Sequence, residues 1–215
     1  MRPQLVIFDM DGLMFDTERI YYRTWQEAAA CYGYKLTWEI YVQIVARNSR
    51  YIEKVLKGIF GETFPYEEVM TKKRTLSDET ILKEGIQKKP GLVTLLDFLE
   101  EQGISKAVAT SSAREKALRY LKLAKVEDRF DSIICGSDVV ESKPNPEIFL
   151  RSAKVLKKKS EACMVLEDSR LGIEAAKRAG MYGVFIPDLV EADDEIRQNA
   201  SNILTSLAEV ITLIR

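Results

Sequence analysis

Short, unbroken apolar runs, each ending near polar residues, constrain the fold of this chain more than any other feature. The first run, Leu5-Val6-Ile7-Phe8, stops at Asp9. A strand buried on both faces of a parallel sheet has this pattern, because neither face meets water. Similar runs follow along the chain at Ala107-Val108-Ala109, Ile133-Ile134-Cys135, Met164-Val165-Leu166 and Val184-Phe185-Ile186.

Amphipathic helical patterns lie between these runs. Residues 92–99 carry leucines at the spacing of one helix face, and residues 173–179 repeat the pattern before Gly180, a residue type that commonly ends helices. Strands that alternate with helices in this way predict a doubly wound α/β fold with a parallel sheet.

One interval interrupts the alternation. Between about residues 15 and 87 the chain shows turn residues and helical spacing but no strand-like run. A crossover between parallel strands needs only a dozen or so residues. We therefore predict a helical domain at 15–87, inserted into a sheet domain formed by 1–14 and 88–215. Residues spaced as helix faces in the insert are Tyr22, Trp25, Ala29 and Tyr32, and Tyr51, Val55 and Ile59.

Composition excludes several classes of function. The 215 residues include no histidine, which excludes Ser-His-Asp and Cys-His catalysis and histidine-ligated zinc. The net charge of -1 disfavours nucleic acid as a partner. Without a signal peptide or a stretch long enough to span a membrane, a cytoplasmic protein is expected. Cys31, Cys135 and Cys163 show no CxxC spacing and are interpreted as reduced, mostly buried thiols.

Polar residues follow the ends of the predicted strands, where ligands bind in open parallel sheets. In strand order they are Asp9 and Asp11, then Thr110, Ser111 and Ser112, then Lys143, then Glu167 and Asp168. If these strand ends are neighbours in the sheet, the side chains converge on one point.

Each of these groups also has a purely structural interpretation. Asp9 to Gly12 could form a turn, and Lys143 could lie in a surface loop. Thr110 or Ser112 could cap the following helix, and Asp168 or Ser169 could cap the helix before Gly180. The combination in this order nevertheless favours a chemical role.

The combination suits phosphoryl transfer. Clustered carboxylates need a cation, and oxygen ligands favour Mg²⁺. Lys143 would balance the remaining negative charge, and Thr110 would hold a phosphoryl oxygen. One carboxylate can act as nucleophile and form an aspartyl phosphate, while a second can protonate the leaving oxygen.

These residues resemble the four motifs of the haloacid dehalogenase-like superfamily. The stretches FDMDGLMFDTE, SKPNPEIF and LEDSRLGIEAAKRAG, together with Thr110, are similar to the β-phosphoglucomutase-like phosphatases and mutases. The resemblance covers the whole chain. It implies a Rossmann-like catalytic core at 1–14 and 88–215 and a mobile helical cap domain at 15–87.

The resemblance also implies a role for each matching residue. Asp9 would be the nucleophile, and Asp11 the general acid and then the base that activates water. Mg²⁺ would bind Asp9, the backbone carbonyl of Asp11 and Asp168, with Glu167 nearby or bound through water. The residues implied to hold the phosphoryl group are Thr110, Lys143 and, by an added hydrogen bond, Ser111.

Residues at the start of the insert help to distinguish a phosphatase from a mutase. The β-phosphoglucomutase branch has a histidine shortly after the Asp-Thr of its first motif, whereas here Asp16 and Thr17 are followed by Tyr21. We therefore predict a phosphatase of a small phosphorylated metabolite such as a sugar phosphate, with a sugar-phosphate mutase as the alternative. Candidate substrate contacts are Thr17 and Tyr21, Arg47 or Arg50, and one of Lys72, Lys73 and Arg74.

Other classes are less consistent with the sequence. Asp11 stands where phosphotransferases keep their second acid, which disfavours a dehalogenase. A phospho-receiver domain would be much shorter and would lack the insert. A non-catalytic binding protein on the same fold stays an alternative, because fold alone does not determine function. We expect a monomer that has neither a nucleic acid nor a membrane as partner.

Overall fold

The apolar runs form the strands of one parallel sheet. The computed structural model describes residues 2–45 and 47–214. The strands are β1 (Leu5–Phe8), β2 (Ser105–Thr110), β3 (Ser132–Cys135), β4 (Cys163–Glu167), β5 (Tyr182–Phe185) and β6 (Asn202–Ile203). They form a 6-stranded sheet in the order β3-β2-β1-β4-β5-β6, in which neighbours pair in parallel. The predicted doubly wound fold is confirmed, and the edge strand β6 was not predicted.

Helices connect the strands and make up the interval after β1. They are α1 (Glu18–Ala30), α2 (Trp38–Ile44), α3 (Ser49–Phe60), α4 (Tyr66–Glu84), α5 (Leu92–Glu101), α6 (Arg114–Leu123), α7 (Glu147–Val155), α8 (Arg170–Arg178), α9 (Asp194–Asn199) and α10 (Val210–Ile214). The predicted helices at 92–99 and 173–179 correspond to α5 and α8. Gly180 has a φ of 68° just beyond α8, and the Met181 N–H donates to the Ala176 carbonyl, which confirms the predicted helix end.

Both faces of the sheet are covered, as unbroken apolar strands require. Ile7 of β1 packs in a cluster that includes Phe149 of α7 and Ala176 of α8. Phe8 points to the opposite face because side chains alternate along a strand. It is also fully buried, and its ring packs edge-to-face on Phe130 with centroids 5.6 Å apart. This double burial explains why the runs are apolar without alternation.

The chain divides into two compact units, and each is described separately. The first comprises Met1–Asp16 and Gln87–Arg215 and contains the sheet with α5 to α10. The second, Thr17–Ile86, contains α1 to α4. The predicted boundaries of the insert, at residues 15 and 87, lie close to these limits.

The second unit is helical as expected, but its buried faces differ from the predicted ones. In α3 the buried residues are Ile52 and Leu56, whereas Tyr51 and Ile59 of the predicted face are 41% and 43% exposed. Tyr32, predicted on the α1 face, lies beyond the end of that helix and is 42% exposed. Apolar residues occur on more than one side of these helices, so spacing indicates a helix without fixing which side packs.

Two chain-wide features complete the description. Cys135 and Cys163 are buried free thiols and Cys31 is an exposed one. Within the part of the chain that the structure describes, no helix has both the length and the apolar character needed to cross a membrane.

Ile7→Ala tests the buried position of β1. The side chain is fully buried on a strand that is flanked by β2 and β4. We expect its truncation to lower the free energy of unfolding by about 2–5 kcal/mol in urea denaturation. Ile59→Ala, at an exposed position of α3, is the matched control and should change stability by about 0.5 kcal/mol or less. Equal losses in the two variants would contradict the packing of β1.

Candidate active site

The order of the strands brings the predicted acidic strand ends together. The succession of strands reverses between β1 and β4, which is the point where ligands bind in open α/β sheets. Phe8 pairs with Val108 on one side and with Leu166 on the other. The Asp9 N–H continues this pairing by donating to the Leu166 carbonyl at 3.0 Å. Residues that follow β1, β2 and β4 therefore meet at one edge of the sheet.

The ammonium group of Lys143 joins two of these strand ends. Its Nζ donates to Asp9 Oδ1 and to Glu167 Oε1, each at 2.5 Å, and to the Ala109 carbonyl at 3.2 Å. All three charged residues are buried. One cation faces two carboxylates, so the cluster keeps a net negative charge that suits a further cation.

Burial and neighbouring charges set the proton affinity of this cluster. Desolvation raises the pKa of Asp9 to about 7 against the lowering effect of Lys143, and the charges of Glu167 and Asp11 add to the rise. For Lys143, desolvation lowers the pKa, but the attraction of Asp9 and Glu167 outweighs it and raises the pKa above the usual value. Lys143 is therefore a cation at neutral pH.

The Asp168 carboxylate lies against the loop that follows β1. Gly12 has a φ of 83°, and a Cβ at this position would collide with the Asp168 carboxylate. Both the positive φ and the close approach require glycine here. The Asp168 carboxylate therefore lies next to Gly12, three residues after Asp9 in the same loop.

Asp188 lies beside the same glycine and was not predicted. Its Oδ2 is 3.3 Å from the position that a Cβ of Gly12 would occupy. Its side chain is 3% exposed and forms an ion pair with Lys89, at 2.6 Å between Nζ and Oδ1. Asp188 follows the fifth apolar run, so the strand-end argument that selected Asp9 would have found it if applied to that run.

Asp11 is held by two residues from the segment after β2. Its Oδ2 accepts from Ser112 Oγ at 2.7 Å and from Lys116 Nζ at 3.1 Å. Lys116 stands in the first turn of α6, where the helix dipole disfavours a cation. The pairing with Asp11 compensates for this position. Lys116 was not predicted, because no sequence pattern connects residues that are 105 positions apart.

Thr110 and Ser111 differ in their exposure. Thr110 is the last residue of β2 and is buried, and its Oγ1 accepts from the Ser112 N–H at 3.1 Å. Ser111 is exposed, but its carbonyl lies so close to Gly136 that a Cβ there would collide with it. The loop after β2 is therefore fixed against the loop after β3.

The structure contradicts the alternative capping role at α6 and confirms it at α8. The N-cap of α6 is Ala113, without a side-chain hydrogen bond, so a capping role for Thr110 or Ser112 is wrong. Ser169 does cap α8, because its Oγ accepts from the Gly172 N–H at 3.0 Å.

The candidate substrate contacts of the insert all lie in the second unit, and Thr17 and Tyr21 are the buried ones named first. Thr17 precedes α1 and is buried, and its carbonyl accepts from the Tyr21 N–H at 2.9 Å. Tyr21 is 7% exposed, and Lys73 Nζ lies 3.7 Å from the centroid of its ring in a cation–π contact. These contacts are internal to the unit, and the roles of both residues toward a substrate stay predictions.

The donor set of the sheet edge fits Mg²⁺. Among residues 2–45 and 47–214, no three acidic or cysteine side chains are grouped so as to hold a metal by themselves. Mg²⁺ does not need such a cage, because it commonly takes one or two carboxylates and completes its shell with water and phosphate oxygens. The carboxylates of Asp9 and Asp168 and the backbone carbonyl of Asp11 would be the protein oxygens for such a site, and their role stays a prediction.

Comparison with known proteins identifies the class to which this fold and site belong. A family model described as haloacid dehalogenase-like hydrolase matches residues 6–186. The match spans most of the chain, so the protein belongs to the haloacid dehalogenase-like hydrolases.

The similar proteins include both phosphatases and a mutase. The phosphorylated carbohydrates phosphatase of Thermotoga maritima is 35% identical over 189 residues, which are 84% of this chain and 85% of that protein. The fructose-1-phosphate phosphatase YqaB of Escherichia coli is 28% identical over 184 residues, with coverages of 83% and 94%. The crystal structure of β-phosphoglucomutase from Clostridium difficile has a TM-score of 0.80 at 25% identity, with coverages of 100% and 97%. The predicted enzyme class and β-phosphoglucomutase-like resemblance are confirmed.

Lys143→Met tests the charge balance of the cluster. The variant leaves two buried carboxylates without their cation, so we expect the metal-free protein to lose about 3–5 kcal/mol of stability at pH 8. The pKa of Asp9 is already raised by burial and rises further without Lys143. A carboxyl group whose pKa is higher in the folded state than in the unfolded state contributes most to protein stability at pH values below its unfolded pKa. This contribution is lost as the pH rises through the folded pKa. The destabilisation should therefore be smaller at pH 5.

Urea denaturation in EDTA at both pH values measures this difference. Lys122→Met, at an exposed position of α6, is the matched control and should leave stability unchanged. A loss of the same size at pH 5 and pH 8 would argue against charge as its cause.

Proposed function

We propose that the protein is a Mg²⁺-dependent phosphatase that hydrolyses the phosphate ester of a small metabolite, foremost a sugar phosphate, through an aspartyl-phosphate intermediate. The observation that carries the proposal is the buried Lys143 ammonium, 2.5 Å from Asp9 Oδ1 at the switch point of the sheet. A fixed cation beside a nucleophilic carboxylate can bind the incoming phosphoryl group and stabilise the charge that develops on it. Two phosphatase relatives named for phosphorylated carbohydrates support this substrate class.

The first half-reaction transfers the phosphoryl group to Asp9. A carboxylate oxygen of Asp9 forms a bond to phosphorus while the ester P–O bond breaks. Asp11 donates a proton to the leaving oxygen, so the product departs as a neutral alcohol. Lys143 and Thr110 hold phosphoryl oxygens during the transfer, with Ser111 as a further donor.

The second half-reaction returns the enzyme to its starting state. Asp11 takes a proton from a water molecule whose oxygen attacks phosphorus, and the bond between phosphorus and Asp9 breaks. Inorganic phosphate leaves, Asp9 is again a carboxylate and Asp11 is again protonated. Asp9, Asp168 and the Asp11 carbonyl would hold Mg²⁺, which would neutralise charge on the phosphoryl oxygens.

The helical unit Thr17–Ile86 is proposed as the cap domain that selects the substrate. Closure of such a domain excludes bulk water from a reaction site. Tyr21 and Thr17 are its proposed substrate contacts. Tyr21 stands where the mutase branch has its histidine, and its hydroxyl and aromatic ring offer a sugar one polar and one apolar contact.

A sugar-phosphate mutase is the second candidate, since β-phosphoglucomutase is among the similar structures. A mutase returns the phosphoryl group to a sugar, whereas a phosphatase gives it to water. Following a panel of sugar phosphates by ³¹P NMR separates these outcomes. Release of inorganic phosphate supports the phosphatase, and formation of an isomeric sugar phosphate without phosphate release supports the mutase.

Asp9→Asn tests the nucleophile. We expect phosphate release from 4-nitrophenyl phosphate to fall by more than about a thousandfold, because an amide cannot form the phosphorylated intermediate. Stability should not fall, since Lys143 then shares a neutral pair with Glu167 alone. Asp97→Asn on the surface of α5 is the matched control. Near-normal turnover by Asp9→Asn would rule out this nucleophile.

Removal of the metal tests whether turnover depends on Mg²⁺. We expect EDTA to reduce the turnover of 4-nitrophenyl phosphate by more than about a hundredfold, and added Mg²⁺ to restore it. Repeated turnover by the wild type also excludes a receiver domain, which would release its phosphate once and slowly. Activity that is insensitive to chelation would contradict the metal role.

A further inference from the structure

The carboxylate of Asp11 is held by donors that are themselves held in place. Ser112 Oγ donates to Asp11 Oδ2 at 2.7 Å, and Lys116 Nζ donates to the same oxygen at 3.1 Å. Lys116 Nζ also donates to Ser112 Oγ at 2.9 Å, so the three polar groups form a triangle. The Ser112 N–H donates in turn to Thr110 Oγ1 at the end of β2. Asp11 is thereby connected to the residue that is proposed to hold a phosphoryl oxygen.

The ammonium group of Lys116 is fixed on more than one side. Besides its contacts with Asp11 and Ser112, it lies 5.2 Å from the centroid of the Tyr120 ring, which is buried one turn further along α6. The side chains of Lys116 and Asp11 are 28% and 15% exposed. Water therefore screens their attraction only in part. The two residues form a defined ion pair at the site.

Different lysines contact the two acids that follow β1. Lys143 forms an ion pair with Asp9, whereas Lys116 forms one with Asp11. The two acids are close enough for the charge of Asp11 to raise the pKa of Asp9. The charge of Asp9 therefore opposes the charge that Asp11 gains when it loses a proton. The ammonium group of Lys116 offsets this repulsion.

We propose that Lys116 is a positioning residue for proton transfer by Asp11. With Ser112 it orients the carboxyl group and stabilises the negative charge that this group gains. The inference rests on the proposed function, in which Asp11 protonates the leaving oxygen. In that step the ester P–O bond breaks, the proton moves from Asp11 to the leaving oxygen, and the electron pair of its former O–H bond stays on the carboxylate. Two donors already face this carboxylate, and preorganised donors stabilise developing charge better than water that must first reorient.

Two esters whose leaving groups differ in basicity separate this role from a purely structural one. Benzyl phosphate releases an alcohol whose oxygen needs a proton as it departs, so its cleavage depends on the general acid. 4-Nitrophenyl phosphate releases a weakly basic phenoxide that departs without a proton. The kcat/KM value covers only the steps up to release of this first product, so the later attack of water does not affect it. A structural defect would lower kcat/KM for both esters alike.

Lys116→Met should lower kcat/KM for benzyl phosphate by about tenfold or more, and kcat/KM for 4-nitrophenyl phosphate by about twofold or less. Ser112→Ala removes the second donor to Asp11 and should change the ratio of the two values in the same direction. Lys122→Met, at an exposed position of the same helix, is the matched control and should change neither value. Equal losses on both esters by Lys116→Met would overturn the proposal. A wild type that hydrolyses neither ester would instead contradict the proposed function.

The ion pair itself can be measured without a substrate. Lys116→Met is introduced into the wild type and into Asp11→Asn, and each protein is unfolded in urea with EDTA present. Only the wild-type background loses an ion pair through this change. We therefore expect Lys116→Met to lower the urea midpoint more in the wild type than in Asp11→Asn, by a difference of about 0.2 M or more. Equal shifts in the two backgrounds would overturn the positioning role, whether or not the protein hydrolyses phosphate esters.

Discussion

One buried ammonium between two buried carboxylates is the interaction on which the site depends. Lys143, Asp9 and Glu167 each follow a different strand, and each would be strongly unfavourable if buried alone. Together they leave one net negative charge at the edge of the sheet. In the proposed mechanism this charge attracts a further cation, and the cation in turn makes the site suitable for a phosphate ester.

The strand order makes this interaction possible. With β1 between β2 and β4, Asp9 stands next to the end of β4, and the loop after β3 brings Lys143 to both acids. The same topology gives β1 neighbours on both edges and helices on both faces, so its side chains are apolar up to Asp9. The abrupt change from Phe8 to Asp9 therefore reflects the boundary between the core and the site.

The sequence predicted the features that depend on burial and on strand ends. Unbroken apolar runs predicted β1 to β5, and the polar residues after them included Asp9 and Lys143. It did not predict β6, which has two half-buried residues and thus no apolar run. It also missed Lys116, because ion pairs between distant segments leave no periodic pattern. Asp188 was missed because the strand-end argument was not applied to the fifth apolar run. Tertiary packing, which spacing does not encode, decided which side of α3 is buried.

Identification of the phosphorylated residue tests the central claim most directly. The enzyme is mixed with a phosphate ester and Mg²⁺, quenched in acid within milliseconds, and digested for mass spectrometry. Our account predicts one phosphoryl group, on the peptide that contains Asp9, and its loss at longer reaction times. Product formation at full rate with a phosphoryl group on another residue, or with none on the enzyme, would contradict the account.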